Sequence, residues 1–391
     1  MERSFAHCIT RMLAHASVPV ICLCAVSSTG CTVQNSSATT VKAENTALAE
    51  IVEPVRWSRA LLERVQKWYS SAEAVRIADN LLIYQHDNGG WDKNTDMAIA
   101  LSPEEEQELK SPAVKAGIST IDNRATFTQL EYLAKVYAAT GQAKYKESFL
   151  RGLDYLLEAQ YDNGGWPQFY PIKKGYYEHI TFNDGAMMGV MQLLRDVAQN
   201  KAPYTFVNTS RKELAATAIE KGLDVILKAQ VKVNGKLTAW CAQHDHVTLA
   251  PAKARAYELV SLSGGESIGI VAYLMELEKP SPEVIQAVNG AVSWMDQVKI
   301  TGVRVELRND PAKQERDRVV VTDATAPPLL ARFYDIETNK PMFVGRDGVV
   351  HDKLAEIERE RRGGYSWYVD FPQKLIEQKY PDWKQKWAML K

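Results

Sequence analysis

Apolar residues recur at helical spacing through most of the chain. Phe127, Leu130, Ala134 and Tyr137 fall on one helical face, as do Met187, Val190, Met191, Leu194 and Val197. Leu150, Leu153 and Leu157 repeat the pattern, and so do Ile270, Val271, Leu274 and Leu277. Thr140-Gly141 and Pro280-Ser281-Pro282 split these stretches into paired helices. Strand signals are sparse, so only short extended pieces are predicted, around Ile300, Val303 and Val305 and at Val319-Val320-Val321. The methionine stripe from 187 to 191 reads as core filling, because thioethers adapt to irregular gaps.

The helices run into a repeated phrase. Leu81-Leu82-Ile83-Tyr84-Gln85-His86-Asp87-Asn88-Gly89-Gly90-Trp91 returns as Leu156-Leu157-Glu158-Ala159-Gln160-Tyr161-Asp162-Asn163-Gly164-Gly165-Trp166. A worn third copy runs from Gly222 to Gln230, then Asn234-Gly235 and Trp240. The offsets are 75 residues (Leu81 to Leu156) and 70 (Leu153 to Leu223). Asn-Gly and Gly-Gly tolerate positive φ and close a helix sharply, and the tryptophan then reads as a packing anchor. Each unit holds two helices and a loop, and internal repetition of that kind decides the architecture. The predicted fold is all-α dominated: an α/α toroid, an incomplete barrel of repeated helix pairs with long loops and a few short strands.

Composition narrows the setting. Of 391 residues, 46% are hydrophobic and 24% charged, which is an ordinary soluble balance. A net charge of −1 gives no global attraction to nucleic acid or anionic membrane, so a charged ligand must be met by local clustering. Arg3 and Arg11 precede the apolar run from Val18 to Val26, and small residues follow up to Cys31. This is the layout of a signal peptide over 1–31, with Thr29-Gly30-Cys31 resembling the site at which bacterial lipoproteins are lipidated. The expected location is therefore exported: periplasmic, anchored at the outer membrane, or secreted. Residues 32–50, rich in Ser, Thr, Asn and Ala, read as a flexible tether, and 51–391 as one catalytic domain. Only Cys241 lies beyond the leader, so no disulfide within the domain is expected, and a monomer held by core burial is.

Chemistry is sought in the loops between helices. Thr120-Ile121-Asp122-Asn123 and Thr181-Phe182-Asn183-Asp184 each stand just before an amphipathic helix in adjacent repeats. Asp and Asn there suit helix N-caps. They equally form a set of hard oxygen ligands, Asp122, Asn123 and Asp184, suited to Ca2+ rather than zinc. His244-Asp245-His246 alternates on an extended loop, yet no third metal partner stands at a suggestive spacing. Arg255, Arg332 and Arg346 sit beside Gly, Pro or aromatic residues, where a planar fork can clamp a carboxylate. The run from Glu356 to Arg362 reads as a solvated mixed-charge helix.

Several ordered segments carry a resemblance. Ser119-Thr-Ile-Asp-Asn123, Asp162-Asn-Gly-Gly-Trp-Pro-Gln168, Ile180-Thr-Phe-Asn-Asp184, Pro251-Ala-Lys-Ala-Arg255, Ser261-Leu-Ser-Gly264, Ala331-Arg-Phe-Tyr334 and Arg361-Arg-Gly-Gly-Tyr-Ser-Trp-Tyr368 resemble the pectate lyases of polysaccharide lyase family ten. The likeness runs from about Arg56 to Trp387. It implies an α/α toroid, polygalacturonate as substrate, Ca2+ as cofactor and cleavage by β-elimination. It further implies Asp122 and Asp184 as metal carboxylates assisted by Asn123, Arg255 as the base, and Arg332 and Arg346 near the substrate carboxylate. Arg124 departs from the pattern, which has Gly after Asp-Asn. The base role conflicts with the rule that arginine stays protonated near neutral pH.

Three other readings compete. A hydrolase on the same toroid would use Asp122 and Asp184 as its acid and second carboxylate. A glycan-binding lipoprotein would use Trp91 and Trp166 as sugar platforms. Terpenoid cyclases share the glutamine-to-tryptophan repeat, but the chain lacks their acidic initiator motif.

Overall fold

The computed structural model describes residues 55–310 and 315–387. The leader, the tether and Cys31 lie outside them. The frame is carried by α1 (Ala72–Tyr84), α2 (Phe127–Thr140), α3 (Ala143–Glu158), α4 (Ala186–Ala198), α5 (Thr209–Ala229), α6 (Gly264–Met275) and α7 (Pro282–Val298). Consecutive helices pack as pairs, α2 on α3, α4 on α5 and α6 on α7. The first members of the pairs, α2, α4 and α6, pack in series as an inner layer, while α1, α3, α5 and α7 follow one another outside. This is the expected α/α toroid. The ends follow local chemistry: Gly141 closes α2 in the left-handed conformation, and the Ser281 hydroxyl accepts from the Val284 N–H ahead of Pro282 to open α7.

The repeated phrase is a packing device. Gln85 Nε2 donates to the Gly89 carbonyl of its own turn and to the Ser148 carbonyl of α3. Gln160 does the same to Gly164 and to Ala218 of α5, and Gln230 to Thr238 and to Ala287 of α7. Each glutamine thus ties a helix end to the next outer helix. The indole N–H of Trp91, Trp166 and Trp240 donates back to Leu81, Leu156 and Ile226, and all three rings are buried. Truncating such a ring to alanine costs about 3–5 kcal/mol. Gly89 and Gly164 take φ of 92° and 100°, and a Cβ at either would stand 2.3 Å or 2.2 Å from the carbonyl oxygen of Arg151 or Lys221. The turn glycines are therefore required twice over, by conformation and by close approach. Met187 and Met191 are fully buried in the core.

Short ladders gather at the loop end. β1 (Ser119–Thr120) pairs with β2 (Phe169–Tyr170), β3 (Ile180–Thr181) with β4 (Gln243–His244), and β5 (Leu262–Ser263) with β8 (Phe333–Tyr334). In each case the strand just before an inner helix is pinned to a later loop, which holds the starts of α2, α4 and α6. The extended pieces predicted near 300 and 320 are longer than expected: β6 (Val303–Asp310) and β7 (Glu315–Thr322) form an eight-rung antiparallel hairpin. Arg304, Glu306 and Arg308 alternate with Val303, Val305 and Leu307, and with Leu307 exposed as well the hairpin is wet on both faces. Arg318 of β7 donates to the Gly363 and Tyr365 carbonyls, and Arg362 forks onto Asp317 at 2.8 Å through both nitrogens. The hairpin thereby clamps the segment that carries Tyr365. The expected solvated helix is short (Arg359–Gly364), and Arg361 within it is buried over the Tyr257 ring. A second apolar cluster, around Tyr257, Phe333, Phe343 and Trp367, supports these loops.

Candidate active site

The inner helices bring three chain segments to one end. Asp122–Arg124 forms a tight turn before α2, and Asn183–Gly185 forms its counterpart before α4. The backbones superpose residue by residue: Asn123 and Asp184 have φ of 49° and 53°, and Arg124 and Gly185 have 66° and 73°. Asn123 thus corresponds to Asp184, and Asp122 to Asn183. Neither acid caps its helix, since the cap positions are Thr126 and Gly185. Left-handed Asn and Asp are tolerated, whereas Arg124 occupies a conformation that favours glycine. The third segment opens α6, where Ser263 and Glu266 bond reciprocally. Glu266 escaped the sequence reading because this repeat has lost its Asp-Asn pair. The only signal was Ser263-Gly-Gly-Glu266 at the equivalent helix start.

These segments wall a cleft of about 550 Å3 lined by Asn123, Arg124, Asp184, Glu266, Arg332 and neighbouring backbone. Arg332 is wedged among the acids. Its Nη2 donates to Glu266 Oε1 at 2.8 Å and to Asp184 Oδ1 and Asn183 Oδ1 at 3.0 Å each. Burial works against this cation, but Glu266, Tyr365 and Asp184 together hold its pKa above the usual arginine value. Asp122, preceding Asn123 in the turn, is buried and lines neither this cleft nor the cavity beside it; Lys93 Nζ pairs with its Oδ2, while its Oδ1 is buried without a partner. A second cavity of about 480 Å3 shares Asn123 and Arg124 and continues past Lys93 to Arg56 and Arg59. The two together form a trough edged with cations.

Arg255 and Arg346 stand elsewhere. Arg255 forks onto Glu258, with Nε 2.7 Å from Oε2, and Glu258 also accepts from the Tyr365 hydroxyl at 2.9 Å. Hydrogen bonding to Glu258 raises the Arg255 pKa further, against the direction a base requires. Arg346 is exposed and pairs with Glu360 at 3.1 Å, away from the cleft lining. Sequence reasoning missed Lys93 and Tyr365 because each acts through a partner distant along the chain, Asp122 and Glu258, whereas the pairing of Glu258 with Arg255 three residues earlier was open to it.

The oxygen set suits a hard cation. Asp122 offers an unpartnered buried oxygen, and Asn123, Asp184 and Glu266 add carbonyl and carboxylate oxygens. The three acids do not close as a trio; among the described residues, the His/Cys/Asp/Glu group with mutual ligand distances within 4.8 Å is His179, Asp245 and His246. Arg332 bridges Asp184 and Glu266, while Asp122 pairs separately with Lys93.

A toroid with acids, amides and guanidiniums converging on an open, cation-edged trough is an enzyme for an anionic polymer. The family model described as pectic acid lyase matches residues 85–376, and the chain belongs to that family. Two solved structures of a family 10 polysaccharide lyase from Cellvibrio cellulosa match at 35% identity with a TM-score of 0.68. They cover 82% of this chain, and 95% and 94% of their own. The first is an Asp-to-Ala mutant in complex with trigalacturonic acid. No curated protein matches. The chain is thus an enzyme of the pectate lyase class, acting on polygalacturonate.

Proposed function

We propose that this cleft cleaves α-1,4-linked polygalacturonate by Ca2+-dependent β-elimination. The reaction removes the C5 proton of a galacturonate residue, breaks the C4–O bond and leaves a C4–C5 double bond, while the departing oxygen takes up a proton. The observation that carries the reading is Arg332, buried and shared between Asp184 and Glu266 in the cleft wall. Its guanidinium lines the cleft beside the acids, and its positive charge would stabilise the negative charge that grows as C5 loses its proton. Asp122, Asn123, Asp184 and Glu266 would hold Ca2+, which when bound neutralises the substrate carboxylate and so acidifies C5. Few protein oxygens are offered for an ion that takes six to eight, which leaves room for substrate oxygens. The complex of the similar Cellvibrio lyase with trigalacturonic acid supports an oligogalacturonate as occupant.

Arg255 is proposed as the base. It must first exchange Glu258 for other partners, and a Ca2+-loaded, arginine-lined site favours loss of its proton. Arg346, exposed and outside the cleft lining, would have to trade Glu360 for a substrate carboxylate. The leader with Cys31 supports export and lipid anchoring. Incubation with polygalacturonate tests the reading: we expect an ultraviolet-absorbing unsaturated product that a chelator abolishes. New reducing ends without that absorbance would show a hydrolase instead.

A further inference from the structure

We propose that His179, Asp245 and His246 form a site for a divalent transition-metal ion of the Zn2+ class, separate from the cleft. The β3–β4 ladder creates it. Ile180 pairs with His244 in antiparallel register, so His179, one residue earlier, comes opposite Asp245, one residue later. One ligand atom from each of His179, Asp245 and His246 lies within 4.8 Å of the other two. The sequence places His179 and Asp245 far apart, which is why the His-Asp-His run lacked a visible third ligand.

The donors are otherwise unspent. The Nδ1 atoms of both His179 and His246 are buried with no hydrogen-bond partner. Buried polar atoms left in that state call for a partner, and a bound ion is one. Asp245 Oδ1 already accepts from the Val247 and Thr248 N–H groups and the Thr248 hydroxyl, which fixes the carboxylate and frees its other oxygen. The His246 ring stacks on Tyr161, with centroids 5.1 Å apart, and its carbonyl accepts from Asn163 Nδ2 at 2.6 Å. The turn of the second repeat therefore holds this imidazole in place, the kind of outer support that orients metal ligands. His244 takes no part: its Nε2 accepts from the Cys241 N–H and its Nδ1 donates to the Leu249 carbonyl. Two imidazoles and one carboxylate suit zinc in tetrahedral coordination with a water as fourth ligand, and they suit Ca2+ poorly. An ion there would tie the strand leading into Asn183 and Asp184 to the loop after β4.

The test is calorimetric titration of Zn2+ into the full chain after stripping with chelator, without Ca2+ or substrate. We expect the folded variants His246→Ala and His179→Gln each to take up one equivalent fewer than the wild type, or to bind it at least 100-fold more weakly. Both variants keep the leader cysteines, so any ion held there cancels in the comparison. Co2+ should give the intense visible bands of a tetrahedral site in the wild type only. Equal Zn2+ uptake by wild type and either folded variant would overturn the proposal, whatever becomes of the cleft's Ca2+ chemistry.

Discussion

Arg255 and Arg332 lie against one tyrosine: their guanidinium carbons stand 5.9 Å and 4.6 Å from the centre of the Tyr365 ring. The two cations reach it from different acids, Glu258 for Arg255 and Glu266 with Asp184 for Arg332. Tyr365 also donates to Glu258, so ring, acid and both arginines form one connected wall. Whatever changes the charge on Glu258 is felt at Arg255.

Glu258→Gln should therefore shift the pH dependence of turnover. The carboxylate favours the protonated arginine, so its removal lowers the Arg255 pKa and brings the neutral base within reach at lower pH. The rising alkaline limb of kcat should move toward neutrality. Arg255→Lys should lose roughly a hundred- to ten-thousand-fold in kcat with KM little changed. Steady-state kinetics across the alkaline range checks both; a Lys variant altered only in KM would make Arg255 a carboxylate clamp.

Arg332→Ala should be unstable without calcium. It leaves Glu266 buried and unpaired beside Asp184, a loss of about 3–5 kcal/mol for a broken buried pair. Asp184 is more than a third exposed, so water screens its share and the lower figure is expected. Ca2+ should raise the melting temperature of this variant more than that of the wild type, because the freed acids gain a cation. Equal calcium shifts in calorimetry would remove the acids from the metal set.

Arg124 stands in a left-handed conformation that costs a non-glycine residue roughly 1–2 kcal/mol. Arg124→Gly relieves this strain but gives the unfolded chain about 0.5–1 kcal/mol more entropy to lose. The net change should be a small gain in stability. Removing a cation from the cleft should also lower the Ca2+ concentration for half-maximal rate several-fold. A calcium titration of the rate checks it, and an unchanged half-point would place Arg124 outside the field of the metal site.

Burial pushes the Tyr69 and Tyr368 hydroxyls up to about 12. In the unfolded chain they ionise near 10, so between pH 10 and 12 the folded state holds more protons than the unfolded one. Their contribution to stability is complete below pH 10 and is lost as pH rises toward 12. Melting temperature should fall through that window, and less steeply in Tyr368→Phe; identical slopes would contradict the assignment. Alkaline pH thus favours the proposed base while it erodes the fold.

The repeats were legible because each carries its own local device. Gln85, Gln160 and Gln230 announce three helix ends, and Trp91, Trp166 and Trp240 their anchors. Asp122, Asn123 and Asp184 were legible for the same reason, standing at matching helix starts. What stayed hidden depends on partners far along the chain. Glu266 declares itself only through Arg332 and the backbone N–H of Asp184. His179 meets Asp245 only through the β3–β4 register. The pairing of Arg255 with Glu258, three residues on, was in view, but which cation faces the cleft is decided by the packing of Tyr365 and the hairpin that clamps it.

The most direct measurement is a calcium titration of unsaturated-product formation from polygalacturonate, run on the wild type and on Asp184→Asn. We expect no activity in chelator, saturable activation of the wild type by Ca2+, and a folded variant that needs at least tenfold more Ca2+ and reaches a much lower maximal rate. Superimposable titration curves, or full activity in chelator, would contradict a calcium-dependent elimination centred on Asp184.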